Sequence, residues 1–98
     1  MLLNEDEIAN RLISLRDWQR NDGRIVRRLT FANFGAALIF VNQIGEAAEA
    51  ADHHPDILIH DWNRVELSLT THSETGLTRR DFDLAEKIES LIEQHSDQ

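Results

Sequence analysis

The sequence predicts an α+β fold: a two-layer α-β-β-α-β-β-α chain with a four-stranded antiparallel sheet and its helices packed on one face. Three observations lead there. Apolar residues recur at helical spacing in three separate stretches. Between them lie two pairs of strand-like segments, each pair joined by a turn signal. The single proline, Pro55, and Gly76 then punctuate the chain where helix and strand must change over.

The elements follow in order. Asn4 with Glu7 is a capping-box variant, and Ile8, Leu12 and Leu15 continue at helical spacing, giving a short helix over residues 5–16. Trp18 and Asn21-Asp22-Gly23 come next. An Asp-Gly pair between potential strands signals a hairpin, because glycine tolerates positive φ. Arg24–Phe31 then alternates through Ile25, Arg27, Leu29 and Phe31, as a strand does. Asn33 can cap the second helix, whose stripe is Ala37, Phe40, Val41, Ile44, Ala48 and Ala51. Gly45 inside it costs about 1 kcal/mol against alanine. Pro55 pushes the residue before it out of the helical region and ends this helix near residue 52. His53 and His54 therefore sit at or just past a helix C-terminus. Ile57–Ile59 fits a third strand, and Asp61-Trp62-Asn63-Arg64 reads as a turn. Val65, Leu67 and Leu69 alternate with Glu66, Ser68 and Thr70 in a half-buried fourth strand. His72 continues the polar parity and projects opposite Val65 and Leu67, unless the strand has already ended. Gly76 breaks the chain. Thr78 and Asp81 form a capping pair for the last helix, whose stripe is Leu84, Ala85, Ile88, Leu91 and Ile92. The tail His95–Gln98 is expected to fray. With the helices on one face, the other face of the sheet is the natural place for a polar site.

Composition narrows the function classes. At 98 residues the chain is expected to be one domain, residues 1–98, with a modest core that oligomerisation would help stabilise. A net charge of -8 repels duplex nucleic acid and anionic membranes, so neither is expected as a direct partner. The short basic spots at Arg24, Arg27, Arg28 and at Arg79-Arg80 read as solvated faces. The absence of cysteine removes disulfides, thiolate nucleophiles and thiolate zinc sites. It is compatible with a cytoplasmic location. The acidic N-terminus lacks a signal-peptide pattern, and the longest apolar run, near Ala36–Val41, falls far short of a membrane span.

The chemistry-bearing residues are histidines. Four of five, His53, His54, His60 and His72, fall within twenty residues, the fifth being His95. Histidine is the side chain best placed to exchange protons near neutral pH. Adjacent histidines diverge on regular backbone, but at a helix end the chain turns and both can line one pocket. The negative helix end also favours their protonated form. Three readings fit the residues alone: an acid–base site, a helix end whose imidazoles meet the last carbonyls, and a zinc site completed by Asp52 or Glu49. Asp81 is either a capping carboxylate or a group that orients a histidine or holds a polar ligand, and the two are compatible. Trp18 is core, interface or stacking platform. Trp62, in a predicted turn, packs over the sheet edge or lines a pocket. No nucleophile elbow surrounds any serine, and the glycines are too isolated for a phosphate loop.

Taken in order, Glu49-Ala50-Ala51-Asp52-His53-His54-Pro55, Trp62, Val65, Thr71-His72, Gly76-Leu77-Thr78 and Asp81 resemble the pterin-4a-carbinolamine dehydratase family. Trp18 and the Phe31/Phe34 pair extend the resemblance over roughly residues 8–93. It implies the same element order and a homodimer or homotetramer. It also implies a small-molecule pterin substrate and loss of water from 4a-hydroxytetrahydrobiopterin, as in tetrahydrobiopterin recycling, with neither redox cofactor nor metal. His53, His54 and His72 match the catalytic positions, with His54 and His72 as the acid–base pair. Glu49, Asp52, Asp81 and Trp18 match positions that hold the pterin or orient a histidine. Two departures stand out: Ala50 where the family often has lysine, and one residue added between Pro55 and Trp62 relative to some members. The competing expectation is a non-catalytic pterin-binding or protein-assembly module, since some family members act as dimerisation cofactors for a transcription factor.

Overall fold

All three helices turn their apolar stripes onto one face of a four-stranded antiparallel sheet. The computed structural model describes residues 1–96, in the order α1 (Glu5–Leu12), β1 (Trp18–Asn21), β2 (Arg24–Thr30), α2 (Phe34–Ala51), β3 (Asp56–His60), β4 (Arg64–Leu69), a single 3-10 turn (His72–Glu74) and α3 (Arg79–Ser96). The strands lie in the order β1-β2-β4-β3. Ile25 faces Leu69, and Leu29 faces Val65, across the central β2–β4 pair. Ile25, Val65, Leu67 and Leu69 are buried against Phe40 and Ile44 of α2 and against Phe82, Ala85 and Ile88 of α3. The expected two-layer architecture is therefore the one observed.

Local chemistry sets the boundaries. The Asn4/Glu7 capping box is complete, with Asn4 Oδ1 accepting from Glu7 N–H and Glu7 Oε1 accepting from Asn4 N–H, each at 2.9 Å. The first helix is shorter than the expected 5–16. After Leu12 the chain winds through tight turns (Leu15 N–H to Leu12 O, Trp18 N–H to Leu15 O, both 3.0 Å) that tuck Leu15 and Trp18 into the core and start β1. The hairpin forms at Asp22-Gly23, but Asp22, not Gly23, takes the positive φ of 53°. A Cβ at Gly23 would lie 3.6 Å from Gly76 Cα, an ordinary van der Waals contact. The three-residue β3–β4 turn, Asp61-Trp62-Asn63, places both Asp61 and Trp62 at positive φ without a glycine. Asn33 Oδ1 caps α2 by accepting from Ala36 N–H at 2.8 Å.

Three expectations are corrected. The open face of the sheet carries no histidine cluster. It is laced by Arg24–Asp56 (2.9 Å) and Arg28–Glu66 (3.0 Å) ion pairs, and His53, His54 and His72 gather at one end of the sheet instead. The strand has ended before His72: β4 stops at Leu69, so the 3-10 turn rather than strand parity aims this side chain. His95 is not frayed, because its ring packs edge-on against Phe40 and Phe31 at 5.5 and 6.0 Å. The last two tail positions, 97 and 98, lie outside the described residues. No helix among the described residues is long and apolar enough to cross a membrane.

Candidate functional site

The C-terminus of α2 meets the N-terminus of α3 at the end of the sheet where β4 finishes. Helix α2 closes with a residue in the left-handed conformation, Asp52 (φ 49°, ψ 44°). His53 N–H reaches Ala48 O at 3.1 Å and Asp52 N–H reaches Glu49 O at 3.2 Å, the paired bonds of a Schellman motif. This reversal, followed by Pro55, is what sends the two adjacent imidazoles in different directions.

His53 turns inward. Its residue is only 7% exposed, and Nε2 lies 2.6 Å from Oδ1 of Asp81, which is fully buried. The other carboxylate oxygen of Asp81 accepts from Thr71 Oγ1 (2.8 Å) and from Thr78 N–H (2.9 Å). Thr78 in turn donates its hydroxyl to Thr71 and accepts from Arg80 N–H. With Thr71 committed as donor to Asp81, this direction follows. The chain of hydrogen bonds therefore runs one way and ends on the carboxylate. The arrangement fixes the imidazole: a carboxylate partner demands a proton on Nε2, leaving Nδ1 as the variable nitrogen. Nδ1 makes no hydrogen bond. No buried side-chain nitrogen or oxygen lacks a partner among the described residues, so Nδ1 reaches the surface. The helix ends cooperate, with histidine at the negative end of α2 and the carboxylate at the positive end of α3.

His54 turns outward. Its side chain is 55% exposed, and Nε2 is hydrogen-bonded to Glu49 Oε2, one turn earlier. Thus Nε2 of His54 is also held by a carboxylate and Nδ1 is free. His72 opens the 3-10 turn and is exposed, with no side-chain partner among the described residues. Thr71, the residue before it, is buried and bridges to Gly76, which fixes the start of that turn.

A crevice of about 220 Å³ brings these parts together, lined by Asp52, His53, His54, Thr70, Thr71, His72, Ser73 and Arg80. Asp81 stands behind His53, and Glu49 flanks His54. Trp18 does not line it. It is 4% exposed in the core, where its indole N–H donates to Glu89 Oε1 at 2.8 Å, because its place at the start of β1 faces α3. Trp62 is also absent from the crevice. It sits 61% exposed in the turn before β4, at the other end of that strand. Two contributions were not singled out from sequence. Arg80, read as a solvated cation, donates from Nη2 to the Asp52 carbonyl and ties the two helix ends together. Thr71 supplies its hydroxyl, and Thr78 its backbone N–H, to the buried carboxylate. The one available signal was their position around Asp81 at a helix start. Among the described residues, no three histidine, aspartate or glutamate side chains converge as a metal site would require.

Comparison with known proteins gives the class. The family model for pterin 4 alpha carbinolamine dehydratase matches residues 1–91. A protein of Picosynechococcus sp. named "Putative pterin-4-alpha-carbinolamine dehydratase" is 48% identical over 91% of this chain and 96% of its own length. One of the same name from Acidobacterium capsulatum is 50% identical over 92% of this chain and 97% of its own. The crystal structure of a transcriptional coactivator/pterin dehydratase from Brucella melitensis superposes with a TM-score of 0.87 at 35% identity, covering 93% of this chain and 98% of that one. A pterin dehydratase-like protein described as a RuBisCO assembly factor in the alpha-carboxysome has a TM-score of 0.61 at 16% identity, covering 76% of this chain and 84% of that one, a likeness of fold alone. The chain belongs to the pterin-4a-carbinolamine dehydratase family.

Proposed function

We propose that this protein dehydrates 4a-hydroxytetrahydrobiopterin to the quinonoid dihydropterin by histidine acid–base catalysis. The reaction breaks the C4a–O bond, delivers a proton to the departing hydroxyl and takes one from a ring nitrogen. No electrons are transferred, so no redox cofactor is called for. The observation that carries the reading is the convergence of His53, His54 and His72 on one small crevice. Two of these imidazoles have Nε2 bound to a carboxylate, which holds the tautomer and leaves Nδ1 to exchange a proton with substrate. In this reading His54 and His72 are the acid–base pair, and His53, held by Asp81, binds or assists. Glu49 orients His54 through its bond to Nε2, while Asp52 lies at the crevice wall for polar contact with the pterin.

The test is an assay of the chain against freshly generated 4a-hydroxytetrahydropterin, with and without a chelator. Acceleration unaffected by chelator is expected. No acceleration over the uncatalysed loss of water overturns the reading.

The working form is proposed to be a homodimer or homotetramer. Phe34, Leu38 and Ile39 on α2, and Leu58 and Trp62 along β3 and its turn, are large apolar side chains left exposed on a single chain. The same surfaces would serve the second reading, a protein-assembly module. That reading requires a stoichiometric protein partner retained by a His54→Ala/His72→Ala double variant.

A further inference from the structure

Behind the histidine crevice lies a second, larger cavity of about 340 Å³, in the groove between α2 and α3. Its floor is made of small side chains: Ala47, Ala50 and Ala51 from α2, with Leu84 from α3. Two cations stand on its α3 side, Arg80 and Lys87, about two turns apart on one face of the helix. Neither has a carboxylate partner among the described residues, although six of the chain's ten cations, Arg11, Arg20, Arg24, Arg27, Arg28 and Arg64, are paired. The one acid in the lining, Asp83, is already held by Arg11 at 2.8 Å. In a chain of net charge -8, two cations without a carboxylate partner over an apolar floor, Arg80 giving one guanidinium N–H to the Asp52 carbonyl and Lys87 beside it, are an anion-binding arrangement rather than a solvated face.

His53 and Arg80 belong to the walls of both cavities. His53 is more than nine-tenths buried, with Nε2 spent on Asp81 and Nδ1 without a hydrogen-bond partner among the described residues. We propose that the α2/α3 groove is a subsite for a carboxylate- or phosphate-bearing group next to the pterin crevice, with Lys87 and Arg80 as its cationic holders and the alanine floor seating the carbon chain that bears the anion. The anion has two possible sources with the same chemistry: a substituent on carbon 6 of the pterin, or a separate small molecule. The first source rests on the crevice being a pterin site, and the second does not.

The experiment titrates the whole protein with three probes: neopterin, neopterin 3′-monophosphate and inorganic phosphate. The two pterins are followed by calorimetry and phosphate by backbone amide shifts of α2 and α3. If the substituent is the source, the phosphorylated pterin binds on the order of tenfold tighter than neopterin. That ratio falls to about one in Lys87→Gln and in Ala50→Leu, which fills the floor, and survives in Arg64→Gln, the same charge change at the far end of β4. If a separate molecule is the source, the two pterins bind alike, but phosphate gives saturable shifts at residues 80–87 that Lys87→Gln abolishes. A ratio near one with no saturable phosphate shift overturns the subsite, as does a preference or shift unchanged by Lys87→Gln. Should neither pterin bind, the pterin reading of the crevice fails and the phosphate arm alone decides the groove.

Discussion

His53 and His54 are neighbours in sequence and opposites in environment, and that difference separates what each contributes. His53 is buried on Asp81, whose carboxylate collects three hydrogen bonds. Removing it leaves Thr71, Thr78 and the imidazole with unmatched buried donors. Asp81→Ala is therefore expected to lower unfolding free energy by about 3 kcal/mol, read by chemical denaturation. His54 and His72 are exposed, so alanine at either is expected to change stability by less than about 0.5 kcal/mol while lowering turnover by about 10²–10⁴. A variant of His54 that unfolds as readily as Asp81→Ala would contradict this division. At this scale the sequence was only partly legible. Spacing could mark Asp81 as a capping residue, and it is one, through Thr78 N–H. It could not show that the same carboxylate also reaches 28 residues back to His53, because that contact is made by helix packing. Of the places open to Trp18, the core is the one it takes, and spacing could not show this because its partner, Glu89, lies 71 residues away.

The site depends on how two elements end. Asp52 occupies the left-handed position that closes α2, a conformation that glycine takes without strain and β-branched residues resist. Asp52→Gly is expected to keep or raise the thermal midpoint, and Asp52→Val to cost about 1–2 kcal/mol. Equal destabilisation by both would contradict the αL assignment. At the other end of the layer, Glu5 makes paired hydrogen bonds to Arg20, tying α1 to β1, and these hold its carboxyl below the ordinary glutamate pKa. A lowered folded-state pKa means the pair stabilises the fold above the unfolded value, near 4.3, and is lost as pH falls through the lowered one. The difference in thermal midpoint between the wild type and Glu5→Gln should thus be present at pH 6 and vanish in acid, and should shrink with salt. Element types were legible from periodicity and caps, as the Asn4, Asn33 and Pro55 signals illustrate. Ends were less so. Nothing local distinguishes Leu15 as a residue that must leave the helix to fill the core, and Phe82 is fully buried on α3 although the predicted stripe began two residues later.

At the scale of the whole molecule, the two-layer architecture was legible because two hairpins and three amphipathic helices admit few other arrangements. The position of the site was not, since the open sheet face proved to be occupied by its own ion pairs. The proposed homodimer or homotetramer would cover the exposed apolar residues on α2 and around β3. Light scattering after size exclusion is expected to give two or four chains per particle, and Leu38→Glu with Ile39→Glu to reduce that number. A monomer in the wild type would contradict the assembly. The central claim, that the histidine crevice is an acid–base dehydratase site, is tested most directly by initial dehydration rates of 4a-hydroxytetrahydropterin across alanine variants of His54, His72 and His95, each checked for folding. The account predicts loss of about 10²–10⁴ at His54 and His72, with His95, packed edge-on against Phe31 and Phe40 away from the crevice, within a few-fold of wild type. Full activity in His54→Ala alongside loss in His95→Ala would contradict it.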